Sequence, residues 1–280
     1  MGSIGQYETT TLQEEIVDSS TFQEWLSIAL RWLHVIAGIY WIGQTHVFMR
    51  LERSLKQGQL WAVHGGGFWK MQKFETSEQP PDDFIWFKWA SLMAWISGML
   101  LLVVTYYLGG LMVFPDSPLT NNQAIIIGVV IIFLGTLIYR FVWDDDQPGP
   151  LPKIAGPIAS YIAITALSWG LCSIMSGRAA YIHIGAIFGT IMVTNVWFTI
   201  LPAQRQLIAR KEGRAKADYG LAERAAQCSK HNTFLSIPLI FIMVSNHYPV
   251  ATYGSDWNWL VLSGLVLAGW IAAIFVRKYF

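Results

Sequence analysis

The 280-residue sequence predicts an all-α protein: a polytopic membrane helix bundle of about seven transmembrane helices, with the N-terminus outside and the C-terminus cytoplasmic. Three observations carry this reading. Hydrophobic residues make up 54% of the chain and charged residues 13%, against roughly 25% charge in soluble domains. The apolar residues gather into runs near the ~20 residues needed to cross about 30 Å of hydrocarbon. Lys and Arg fall almost entirely on one side of those runs, which fixes a direction. The same composition excludes disorder, and a net charge of +1 argues against a nucleic-acid partner.

In chain order, residues 1–21 form a polar segment with Glu8, Glu14, Glu15 and Asp18 and no Lys or Arg, so no cleavable signal peptide is expected. Residues 22–280 form the transmembrane domain, with spans expected at 22–48, 84–108, 122–143, 154–175, 179–201, 232–248 and 257–276. Pro238 is expected to kink the sixth. With the N-terminus outside, sixteen of the Lys and Arg residues fall on the inner side, and only Arg178 falls in an outer loop. That pattern suits the inner membrane of a bacterial-type cell. Two inner loops, 50–83 and 202–231, are long enough to hold structure, the second as a basic, Ala-rich surface helix. Cys172 and Cys228 fall on opposite sides and are expected to be free thiols, and the absence of CxxCH excludes a covalent c-type haem in this chain.

Polar residues inside spans are costly and mark candidate sites. Glu24, Ser27, Arg31, His34, Gly38, Trp41 and Thr45 recur at steps of three and four, so they share one stripe that should face protein. His34 with Gly38 one turn on suits an imidazole ligating a porphyrin, with Arg31 pairing with a propionate. The plainer reading pairs Arg31 with Glu24 or a neighbouring helix and lets His34 hydrogen-bond across the bundle. His183, on a face with Thr190, Thr194 and Trp197, and His247 complete an outer histidine set. Two assignments fit that set: b-type haem on His34 and His183, or a metal such as copper on His34, His183 and His247. Gly185 and Gly189 read as a close-packing surface.

His46, His64 and His231 fall toward the inner side. His64 precedes Gly65, Gly66 and Gly67, whose backbone N–H groups could meet an anion, and Trp61, Phe68, Trp69, Lys70 and Lys73 add ring faces and charge. The plainer reading is a membrane-surface loop with Trp side chains at the headgroups. Asn232, beside His231, offers further polar groups or a helix cap.

The blocks WLHVIAGIYWIG (32–43), VHGGGFWKMQKF (63–74), WFKW (86–89), RAAYIHIGAIFGTIMVTNVWFTILPAQ (178–204) and HNTFLSIPLIFIMVSNHYP (231–249) together resemble the membrane domain of bacterial membrane-bound urate oxidases. The resemblance implies oxidation of urate to 5-hydroxyisourate, with electrons leaving to a c-type cytochrome instead of forming hydrogen peroxide. It makes His64 or His231 the base that removes a ring proton, with Gly65, Gly66, Gly67, Trp69, Lys70 and Asn232 around the substrate. A haem on His34 and His183 would relay electrons outward. The family's eighth span and cytochrome domain are not among these 280 residues, so the cytochrome is expected as a separate protein. The sequence also departs from the family pattern at Ala90 and Ser91, at Gln44, Thr45 and His46, and over 139–146. Two alternatives stand beside this reading: a membrane b-type haem protein resembling the haem-dependent oxidases of tetrapyrrole synthesis, and a transporter of a flat anion or metal.

Overall fold

A computed structural model describes residues 4–55, 59–73, 84–143, 155–211 and 219–279. Parts of both expected inner loops, including Lys56, Arg214 and Lys216, lie outside the described residues, as do Lys153 and residues 144–146. Among the described residues the chain is all-α apart from one hairpin. Helix α1 spans Ile4–Ser54, followed by strands β1 (Leu60–His64) and β2 (Gly67–Met71), then α2 (Lys88–Leu102). Helices α3 (Asn121–Trp143), α4 (Ala155–Ile174), α5 (Gly177–Asn195), α6 (Leu201–Lys211), α7 (Tyr219–Ser245) and α8 (Asn258–Tyr279) complete the bundle. Helix α2 ends in a π-helical turn, Val103–Tyr107, and a second π-turn, Val196–Ile200, joins α5 to α6.

Six of the described helices are long and apolar enough to cross a membrane: Thr21–Ser54, Lys88–Tyr107, Asn121–Trp143, Ala155–Ile174, Gly177–Ala209 and Asn258–Tyr279. The sixth expected segment, 232–248, is not among them. It is the second half of α7, whose polar first half and shorter apolar run distinguish it. Helix α7 nevertheless runs antiparallel to α5 for most of that helix's length. Asn232 meets α5 at Met192, and Asn246, just past the end of α7, meets it at Arg178. Pro238 lies inside α7, and its ring packs on Gly269 of α8, where a β-carbon would come within 2.9 Å of it.

Helix α1 begins at Ile4 and so extends ahead of the span expected at 22–48, whose start falls beside that of the apolar stretch Thr21–Ser54. No Gly or Pro interrupts the chain from residue 6 to residue 37. Of the inner segment 202–231, residues 212–218, in the middle of the basic, Ala-rich stretch, lie outside the described residues. Before them α6 continues the α5 rod, and after them α7 begins.

Helix α5 is the axis of the bundle: 61% of its span is buried, against 11% for α1 and for α4. The reason is compositional. Ala179, Ala180, Gly185 and Ala186 keep its surface small, so neighbouring helices approach closely. At Gly185 a β-carbon would press on Ile242 and Met243 of α7 at 3.1 and 3.2 Å, whereas Gly189 faces open space, so only one of the two expected small-residue contacts is made.

Two helix starts are fixed by side chains. Ser176 accepts a hydrogen bond from the Ala179 N–H to cap α5 and donates its own hydroxyl to the Leu111 carbonyl. Thr120 and Gln123 form a reciprocal capping box before α3, the Thr hydroxyl accepting from one backbone N–H and the Gln carbonyl from the other.

Candidate functional site

The predicted residues fall into three places, built by different elements. The first comprises the histidines of the spans. His34 donates Nδ1–H to the Ala94 carbonyl at 2.8 Å, and its ring lies against Gly98, where a β-carbon would sit 2.9 Å from Cε1. His183 is fully buried and donates Nδ1–H to the Ala179 carbonyl at 2.7 Å. Its Nε2 accepts from the Tyr107 hydroxyl at 3.2 Å, and a β-carbon at Gly128 of α3 would collide with that nitrogen. His34 is thus level with residues 94–98 of α2, whereas His183 meets Tyr107, about three turns further along that helix.

The two rings therefore occupy different helix interfaces at different depths, against the expectation of a shared level. An axial haem ligand must present a ring nitrogen to a gap that admits the macrocycle. His183 Nε2 instead faces a tyrosine hydroxyl and the backbone of α3, so these residues do not fit a haem between His34 and His183. Arg31, expected on a propionate, is exposed and bonds Ser27 on its own helix at 3.2 Å. Glu24 is exposed as well, whereas Ser27 and the part of the stripe from His34 to Thr45 are partly covered. His247 is exposed in the turn after α7, and among the described residues no three His, Cys, Asp or Glu side chains gather as a ligand group. The outer triplet is not assembled as a copper site.

The second place is the hairpin. Gly65 and Gly66 have φ of +60° and +79° and form its two-residue turn, a conformation closed to most L-residues. Strand register pairs His64 with Gly67, Ala62 with Trp69 and Trp61 with Lys70. Trp69 Nε1 donates to the His64 carbonyl at 3.1 Å, and the Lys70 ammonium lies 5.8 Å from the Trp61 ring. The glycines predicted to hold an anion are accounted for by the turn itself. His64, Trp69 and Lys70 are all exposed.

The third place is a half-open cleft of about 30 Å³ where the ends of α3 and α5 meet α7. It is lined by Tyr139, Arg140, Trp143, Asn195, Thr199, Arg224, Gln227, Cys228 and His231. The π-turn after Asn195 widens the helix there, and Thr199 of that turn reaches the lining. Asn232, predicted beside the substrate, is buried behind the cleft and donates to the Met192 carbonyl at 3.1 Å. Its Oδ1 accepts from Asn195 Nδ2 at 3.0 Å, and the same Asn195 nitrogen donates to the Tyr139 oxygen at 2.9 Å. Tyr139 in turn lies 2.8 Å from His231 Nδ1, and the Trp143 ring stands edge-on to His231 at 4.6 Å between centroids. Only His231 and Asn232 of this network were expected as site residues. Asn195 carried the signal that would have found the rest, as an amide within an apolar span.

The urate oxidase N-terminal model matches residues 20–280. This chain belongs to the urate oxidase N-terminal family. The match spans every element from the membrane part of α1 to the end of α8, so hairpin and cleft both lie inside the family's domain. No curated protein and no solved structure matches the chain. Within this urate oxidase N-terminal domain the SNHYP block has a structural task. Asn246 Oδ1 accepts from Tyr106 at 2.8 Å and from Arg178 Nε at 3.1 Å, tying α7 to α2 and α5 at the end of the bundle opposite the cleft.

Proposed function

We propose that this urate oxidase N-terminal domain is a membrane-bound oxidoreductase that oxidises urate to 5-hydroxyisourate and passes the electrons to a c-type cytochrome. Urate and one water give 5-hydroxyisourate, two protons and two electrons, so one turnover reduces two cytochromes. The observation that carries this reading is the family membership over residues 20–280 together with the cleft at the ends of α3, α5 and α7.

The cleft suits a flat anion rich in amide edges. Arg140 and Arg224 supply positive charge, Trp143 and His231 supply ring faces, and Gln227 and Asn195 supply amide groups. We place the substrate here in preference to the hairpin, because His64, Gly65, Gly66, Trp69 and Lys70 lie exposed on a two-stranded ribbon. The hairpin then stands at the same membrane face, where its Trp and Lys side chains suit the headgroup layer. Orientation with that face in the cytoplasm follows from the Lys and Arg distribution.

The test is anaerobic incubation of the detergent-purified chain with urate and a soluble c-type cytochrome. Reduction that requires both urate and the chain, with two cytochromes reduced per urate, is the expected result. Absence of any urate-dependent reduction, with the protein folded, would overturn the proposal.

A further inference from the structure

The end of the bundle opposite the cleft, which the Lys and Arg distribution places outside, carries two arginines that converge on one buried tyrosine. Arg178, the second residue of α5, holds its guanidinium carbon 5.5 Å from the centre of the Tyr106 ring. It donates Nε–H to Asn246 Oδ1, which also takes the Tyr106 hydroxyl proton. Arg31 approaches Tyr106 from α1. Gln23 Nε2 donates to the Val104 carbonyl at 3.1 Å, so residue 23 of α1 is level with residue 104 of α2. The Arg31 side chain runs back along α1 to Ser27, toward that level, as helical side chains lean toward their N-terminus. Helix α2 runs the opposite way, so the same lean carries Tyr106 down toward Arg31. The Tyr106 hydroxyl accordingly feels the charge of both guanidinium groups.

Neither arginine forms an ion pair with an Asp or Glu among the described residues, and Glu24, on the stripe of Arg31, is exposed and pairs with neither. A guanidinium has five N–H donors. In both arginines it is Nε–H that is used, on Ser27 or on Asn246, and the four N–H of the terminal NH2 groups meet no acceptor among the described residues. Arg31 is exposed although it lies within the apolar stretch Thr21–Ser54, where an unpaired guanidinium is costly. Beside it Trp25, Ile28 and Trp32 form an exposed apolar stripe at helical spacing.

A ligand suited to this place brings negative charge to the two forks and hydrocarbon to the stripe below them. A phosphate matches the guanidinium fork. A carboxylate on the surface of a folded partner would meet Arg178 but would not follow Arg31 into the span.

We infer that Arg31 and Arg178, with Tyr106 between them, form a phosphate site for an anionic phospholipid of the outer leaflet, whose acyl chains lie along Trp25, Ile28 and Trp32. The site stands apart from the urate reading, which neither supports it nor depends on it.

The experiment is native mass spectrometry of the full chain in detergent, titrated with phosphatidylglycerol or with phosphatidylcholine of the same acyl chains. The first phosphatidylglycerol should bind about tenfold more tightly than phosphatidylcholine, the scale expected for two cations near a headgroup. Arg31→Gln and Arg178→Gln should each reduce that preference, and the double variant should abolish it. Arg31→Gln decides alone where Arg178→Gln does not fold, since Arg31 bonds only its own helix. Arg53→Gln with Arg277→Gln, at the other end of the bundle, is the control and should leave the first lipid in place.

Equal affinity of the wild type for the two lipids overturns the inference, as does a preference that both outer variants retain. Displacement of the lipid by millimolar inorganic phosphate would assign the forks to a free anion and overturn the lipid. Outer variants with unchanged lipid binding but weakened binding of a soluble c-type cytochrome would transfer the pair to a protein partner and overturn it likewise.

Discussion

At the scale of single residues, glycine decides where the polar side chains of the spans can sit. His183 is fully buried at the contact of α5 with α3 because Gly128 has no side chain, and His34 uses Gly98 in the same way against α2. Gly128→Ala should therefore force the imidazole off its Tyr107 and Ala179 partners. The expected cost is about 1–3 kcal/mol, the range for overpacking a filled contact, read as a lowered melting temperature of the purified protein. Gly38→Ala, where a β-carbon would meet nothing within 4 Å, is the matched control and should leave melting unchanged. A Gly128→Ala protein as stable as wild type would mean that α3 and α5 are not in this contact. Neither glycine partner was legible in the sequence. Each histidine and its glycine are far apart in the chain, and an intramembrane histidine looks the same whether it faces a cofactor or a neighbouring backbone.

Among elements, the helices were the legible part, and the reason is their length and apolar uniformity. The spans expected at 84–108, 122–143 and 257–276 fall close to Lys88–Tyr107, Asn121–Trp143 and Asn258–Tyr279. The ends of α1 and α7 were less legible, since both helices continue into polar sequence that hydropathy alone assigns to segments outside the membrane. The hairpin was missed for a different reason. A run of three glycines is compatible with an anion-binding loop and with a tight turn, and only the alternation LWAVH before it and GFWKM after it hints at paired strands. Gly66→Ala should test the turn, because a left-handed φ of +79° costs an L-residue about 1–2 kcal/mol. Faster proteolytic cleavage between residues 60 and 71, with the melting temperature of the bundle unchanged, is the expected signature. Unaltered cleavage would remove the turn as the reason for the glycines.

Across the whole molecule, polar side chains tie the bundle at its two ends, and α5 takes part in both ties. At one end Arg178, Tyr106 and Asn246 join α5, α2 and α7, and at the other Asn195, Tyr139 and Asn232 join α5, α3 and α7. Interhelical hydrogen bonds of this kind contribute about 0.6–2 kcal/mol each within a membrane. Their larger effect is to set register, since an apolar helix could otherwise slide or turn at little cost. Asn195 and Asn246 stood in plain view in the sequence. Their partners did not, because pairing them requires knowing that α7 lies along α5.

The π-turn Val196–Ile200 sits immediately beyond the inner of these ties. A π-turn holds one residue more than an α-turn, and one residue is about 100° of rotation about a helix axis. The rod therefore behaves as two cams on a single shaft, with the length that carries Arg178, His183 and Asn195 timed independently of the face that α6 presents below it. Removing one residue from 196–200 should leave the rod helical by circular dichroism while turning α6 by about 100°. Thr199 would then leave the cleft and urate binding should fall, with the Arg178 and Asn246 end of the molecule still in place.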